Sequence, residues 1–295
     1  MCLAALAGTA LFVPESRAAR PRRFDPAGQI LMLGLLAGAV GALIEGPEAG
    51  WSSSLVLTLA VLAVVCLALF TVVERHVAEP LVDLRFFRSA AFSSSVLIAV
   101  MVFTVQGGCL FLVPLLLQGP FGYSALMTGA LILPMAAVLA LSSPVSGRLV
   151  GRRGTRPSLV IGGAAISVAS VMLVFISTGT PAWYLIIAFT MLGAGIGFIN
   201  PPITTTAVAG LPLSQAGTAS GLASASRQVG VALGVAVAGL AASTDDLRLT
   251  AASHPVFRLT AVLGLVVAAL GVVSTTRWAR GTRHRLDALF NASDA

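Results

Sequence analysis

FSSSVLIAVMVFTVQGGCLFLVPLLL, residues 92–117, carries no charged side chain from Phe92 to Leu117, and Gln106 is its one amide. Crossing the hydrocarbon core of a bilayer takes about 20 mostly apolar residues in a helix. A buried strand of a soluble protein ends far sooner. The stretch therefore reads as a transmembrane helix. Working outward, seven more segments meet the same standard: 27–46, 53–73, 126–146, 158–177, 183–203, 218–242 and 257–275. Segment 218–242 is the weakest by hydropathy, because it is built largely from Gly, Ala and Ser. Turn signals such as Gly46-Pro47, Gly119-Pro120, Arg156-Pro157 and Thr180-Pro181 lie between the segments. The pattern predicts an all-α polytopic membrane protein of eight full transmembrane helices plus a partial one.

Composition agrees. Of 295 residues, 57% are hydrophobic before the 30 glycines are added, and only 10% are charged; the mean hydropathy is +0.96. Soluble domains carry roughly 45–50% apolar residues with glycine included, and about 25% charged ones. So few charges cannot cover so much apolar surface in water. A soluble enzyme, a disordered tail and a secreted disulfide scaffold are excluded. Cys2, Cys66 and Cys109 lie far apart in apolar runs, with neither zinc-site spacing nor a disulfide pattern, and read as small buried hydrophobes. No metal and no cofactor is expected.

The net charge is +7, and all 18 basic residues are Arg. Their placement explains the charge. With residues 14–25 in the cytoplasm, 15 arginines fall in cytoplasmic segments, and only Arg248 and Arg258 fall outside. Trp51, Tyr123, Trp183 and Tyr184 then mark external helix ends, and Trp278 an internal one, as interfacial aromatics should. The charge describes orientation, in an inner (plasma) membrane with the carboxyl terminus cytoplasmic, and implies no nucleic-acid partner. Residues 1–13 (MCLAALAGTALFV) are apolar but too short to span. A signal peptide fits badly, since no basic residue precedes the stretch while Arg17, Arg20, Arg22 and Arg23 follow it. The expectation is the last third of a helix that begins before Met1, in a truncated chain.

Five motifs resemble the fourteen-helix drug:proton antiporters of the major facilitator superfamily. GALIEGPEAGWSS (41–53) is similar to the outer turn between that family's two extra central helices, and EPLVDLRFFRSAAFS (79–93) to the lead-in to its ninth helix. GRLVGRRGTRP (147–157) resembles its basic G-x-L-x-D-R-x-G-R-R loop. LGAGIGFINPPITT (192–205) and AGTASGLASASRQVGVALGVA (216–236) resemble its last two long motifs. The resemblance implies six parts. Residues 1–13 are the end of a truncated helix, 14–26 a basic cytoplasmic linker and 27–73 the two extra helices. Residues 74–91 are a cytoplasmic loop, 92–275 a six-helix carboxyl-terminal transporter domain, and 276–295 a cytoplasmic tail. Within that domain, 92–177 and 183–275 would be inverted three-helix repeats.

The resemblance also implies a function: proton-coupled efflux of hydrophobic or cationic drugs by alternating access. The bilayer, a small-molecule substrate, protons and an amino-terminal half would be its partners. Gly147, Arg148, Arg152, Gly154 and Arg156 would form a cytoplasmic gating loop, or its arginines are simple positive-inside anchors, and Gly151 stands where the family has its acidic residue. The latch that an Asp would make there is not assigned. A transport-inactive fragment, or a membrane scaffold or subunit, remains open beside the transporter.

An ionisable group within a span is costly and marks a candidate site. All 11 acidic residues, and His76, His254 and His284, lie in loops, tails or helix ends. Paired carboxylates, a Ser–His–Asp grouping and a metal cluster are therefore all lacking in the membrane, and the protein is not expected to be an enzyme. Arg227 is the exception among charged groups. It falls on one helical stripe with Ser220, Ser224, Gly230 and Gly234, so it should point into protein or a cavity. Gln228, Gln106, Asn200 and Phe103 complete the candidate transport pathway. Asn200 precedes Pro201-Pro202 and could cap the break those prolines make. Gly193/Gly197, Gly217/Gly221 and Gly230/Gly234 have the small-x-x-x-small spacing of close helix packing.

Overall fold

The computed structural model describes residues 25–76, 90–208, 216–242 and 246–274, and these form eight α-helices with no strand among them. They are α1 (Pro26–Ala49), α2 (Ser54–His76), α3 (Ala90–Gln118), α4 (Ala125–Arg153), α5 (Thr155–Val174), α6 (Ala182–Val208), α7 (Ala216–Ala242) and α8 (Asp246–Val273). All eight are long and apolar enough to cross a membrane. Residues 1–13, the arginines of 14–24, most of the 74–91 loop and the tail beyond 274 lie outside the described residues.

Local chemistry sets the ends. Asp25 caps α1, its carboxylate accepting from the Gly28 amide at 2.9 Å, with Pro26 in the first turn where no amide donor is needed. Ser124 caps α4 by accepting from the Met127 amide at 3.2 Å. Gly50, Gly122 and Gly154 take positive φ values of 84°, 67° and 78°, the left-handed region that favours glycine, in the turns after α1, α3 and α4.

Two expected loops are largely helical. Residues 147–153 continue α4, and Gly154 alone separates it from α5, so Gly147, Arg148 and Arg152 lie on a helix and Arg156 in the first turns of the next. The expected external loop 243–256 is mostly the start of α8, which runs through Pro255. Hydropathy marks only the part of a helix that sits in hydrocarbon. Backbone hydrogen bonding continues past it into polar sequence.

Packing is led by three pairs: α3 on α7, α4 on α6, and α5 on α8. Exchanging α3–α5 with α6–α8 turns the first pair into the second and leaves the third unchanged. The buried core draws on all six, with Ile98, Leu112, Leu131, Ile166, Phe189, Leu192 and Phe257 almost wholly enclosed. Ser167 of α5 donates to the Ala261 carbonyl of α8 at 3.0 Å, and Tyr184 of α6 to the Met172 carbonyl of α5, also at 3.0 Å. The α1–α2 hairpin touches this bundle chiefly through α1 on α7. Leu55, Leu57, Val61, Val64, Leu67 and Val72 are exposed along α2, an apolar exterior suited to lipid.

Candidate functional site at the junction of α3, α6 and α7

Close backbone approach builds the site. A Cβ on Gly230 would fall 2.5 Å from the Val100 carbonyl oxygen and 2.9 Å from the Phe103 Cβ, so only glycine lets α7 lie this near α3. One turn earlier on α7, Arg227 is thereby laid across the Phe103 ring, its guanidinium carbon 5.5 Å from the ring centroid. That is cation–π range. Arg227 Nη2 donates to Thr204 Oγ1 of α6 at 2.7 Å, while Nε is buried with no partner. Three helices thus hold one cation. A guanidinium carries five N–H donors, and one of them has a hydrogen bond here.

Arg227 and Phe103 are joined directly. Asn200 joins them through Thr204, whose hydroxyl donates to the Asn200 carbonyl at a long 3.4 Å. Gln106, one turn beyond Phe103, is half-buried; Gln228 is exposed beside Arg227, as are Ser220, Gly221 and Ser224. This part of α7 presents a polar face outward, which lipid would not stabilise. Arg148, Arg152 and Arg156 are exposed at the α4–α5 junction, with Gly147 and Gly154 also exposed there.

Asn200 does not cap the double-proline break. Pro201 and Pro202 lack amide protons, which leaves the carbonyls of Gly197 and Phe198 without their usual donors four residues on. Two serines of α4 replace them. Ser143 Oγ donates to Gly197 O at 3.3 Å, and Ser146 Oγ to Phe198 O at 2.6 Å. Neither serine, nor Thr204, is singled out by spacing or hydropathy alone. The usable signal was three serines, Ser142, Ser143 and Ser146, in the last turns of an apolar segment.

Close packing also involves Gly193 and Gly197, whose absent Cβ positions abut Met135 and Leu139–Ser142 of α4, and Gly234, which abuts Thr104 and Gly108 of α3. Gly221 is different: it faces open space, with nothing within 4 Å of the position its Cβ would take. It belongs to the exposed polar face of α7, turned away from α3. The surroundings of Gly217 lie outside the described residues. Among the described residues no group of three or more His, Cys, Asp or Glu is placed to hold a metal ion.

A model of the Major Facilitator Superfamily matches residues 7–235. The multidrug resistance protein Stp of Mycobacterium tuberculosis is 37% identical over 231 residues, covering 78% of this chain and 43% of Stp. The tetracenomycin C resistance and export protein of Streptomyces glaucescens is 34% identical over 245 residues, with 81% and 44% covered. The puromycin resistance protein pur8 of Streptomyces alboniger is 35% identical over 243 residues, with 80% and 48% covered. The chain thus spans less than half the length of these curated relatives. It is a multi-pass helical membrane protein that belongs to the major facilitator superfamily.

Proposed function

We propose that the chain supplies the carboxyl-terminal part of a proton-coupled drug exporter of the fourteen-helix type, working by alternating access. The observation that carries this reading is a cation held at the junction of α3, α6 and α7, beside an exposed polar face on α7. A membrane helix presents such a face to water or to protein, not to lipid. A cavity shared with an amino-terminal half, which provides the opposite wall, accounts for it. The exchange symmetry of the α3–α5 and α6–α8 contacts supports the reading of 92–177 and 183–275 as inverted repeats. On this reading 27–73 is the linker hairpin, and the arginines of the α4–α5 junction face the cytoplasm as anchors of a rocking hinge.

The acidic residues all lie outside the middles of the spans. The proton-carrying group therefore belongs to the amino-terminal half. The test is export from a pump-deficient strain that makes this chain alone, or together with the amino-terminal half of the Mycobacterium tuberculosis relative. Export abolished by collapsing the pH gradient is expected only with both parts. Gradient-driven transport by the 295-residue chain in vesicles would overturn the assignment.

A further inference from the structure

The surroundings of Arg227 say more about what reaches it. Its Nη2 has a neutral partner, Thr204; its face covers Phe103; its Nε is buried without a partner. The acidic side chains among the described ones are Asp25 and Glu45, both at α1, and neither is paired with it. The cation is thus positioned by two neutral contacts, and among the described side chains no carboxylate compensates its charge. Beside it, Ser224 and Gln228 are exposed and offer further hydrogen bonds. A guanidinium in low dielectric binds a carboxylate more strongly than any neutral acceptor, by charge-assisted and often bidentate hydrogen bonds.

We propose that Arg227 is a carboxylate-receiving site, with Phe103 and Thr204 as positioning residues that aim its guanidinium toward the open side of α7. This rests on the transporter reading, and it names the chemistry of the substrate end that this chain holds: the anionic end of an amphiphilic acid or zwitterion. A zwitterionic substrate would leave its cationic end for the opposite wall. An acidic side chain of the amino-terminal half is the second source of the same chemistry.

The experiment is a ligand-observed NMR titration of the full chain in detergent with benzoate, its neutral amide benzamide, and the cation phenyltrimethylammonium. Wild type, Arg227→Lys, Arg227→Gln and, as a control on α8, Arg248→Gln are compared, with circular dichroism reporting helix content. Benzoate is expected to bind at least about tenfold more tightly than either other probe. Arg227→Gln should remove that preference, Arg227→Lys should keep part of it, and Arg248→Gln should leave it unchanged. Equal binding of benzoate and benzamide by wild type overturns the proposal. So does a benzoate preference that survives Arg227→Gln.

Repeating the titration after co-expression with the amino-terminal half of the Mycobacterium tuberculosis relative distinguishes the sources. Retained benzoate binding assigns the carboxylate to substrate. Its loss, with binding to the chain alone intact, assigns the carboxylate to a side chain of that half. Binding is read here without transport, so a chain that binds benzoate but never supports export overturns the transporter reading and leaves the site standing.

Discussion

Ser146 shows how much one hydroxyl can carry inside a membrane helix pair. Its side chain is fully buried and donates to the carbonyl that Pro202 leaves without a donor. Replacing it by alanine should therefore cost stability, by about 1 kcal/mol, since interhelical hydrogen bonds in membranes are worth about 0.6 kcal/mol on average and up to about 1.7. Ser143→Ala should cost less, because Ser143 Oγ also donates to Leu139 O of its own helix at 2.9 Å and its bond to α6 is longer. Unfolding in mixed detergent micelles checks both; a Ser146→Ala protein as stable as wild type would show that the freed carbonyl needs no donor. Arg227 was legible as a lone charge in a span. Its partner Thr204 was not, because a threonine in an apolar helix carries no mark of what crosses to meet it.

At the scale of the element, glycines with identical spacing have different roles. Gly230 and Gly234 lie against α3, and Gly193 and Gly197 against α4, while Gly221 has open space. Gly221→Ala should leave stability unchanged or raise it by up to about 1 kcal/mol, the helix-propensity difference between the two residues. Gly230→Ala should lower it by roughly 1–3 kcal/mol, because the added methyl must displace the Val100 carbonyl or the Phe103 side chain. It should also weaken the benzoate preference by moving Arg227 off Phe103. The same unfolding assay and NMR titration read both effects. Equal stability of the two variants would mean that α3 and α7 are not in close contact in the membrane. The spacing of small residues revealed that some faces pack tightly. It did not say which, since every small-x-x-x-small pair looks alike until a neighbour is in place.

For the molecule as a whole, the arginine distribution makes a prediction about sides. With Cys2, Cys66 and Cys109 replaced by serine or alanine, a cysteine at Trp183 should react with an impermeant maleimide in intact cells, and one at Arg152 only after permeabilisation. Labelling in the opposite sense would reverse the proposed orientation. The eight helices and the membrane class were legible because a span needs length and apolarity, both local properties of the sequence. The extent of α4 and α8 was not, because helical hydrogen bonding outruns the apolar stretch that reveals it.

Composition and hydropathy suffice to make this chain a polytopic helical protein and to leave Arg227 as the lone charge in its span. Motif order led to the major facilitator superfamily, which the family match over residues 7–235 bears out. Which helices pair, that serines of α4 answer the prolines of α6, and that Phe103 and Thr204 fix Arg227 emerge once the helices are packed together. The reason is physical. Partition between water and lipid depends on each segment's own composition, whereas a hydrogen bond or a ring contact across helices depends on residues far apart in the chain meeting within a few ångströms.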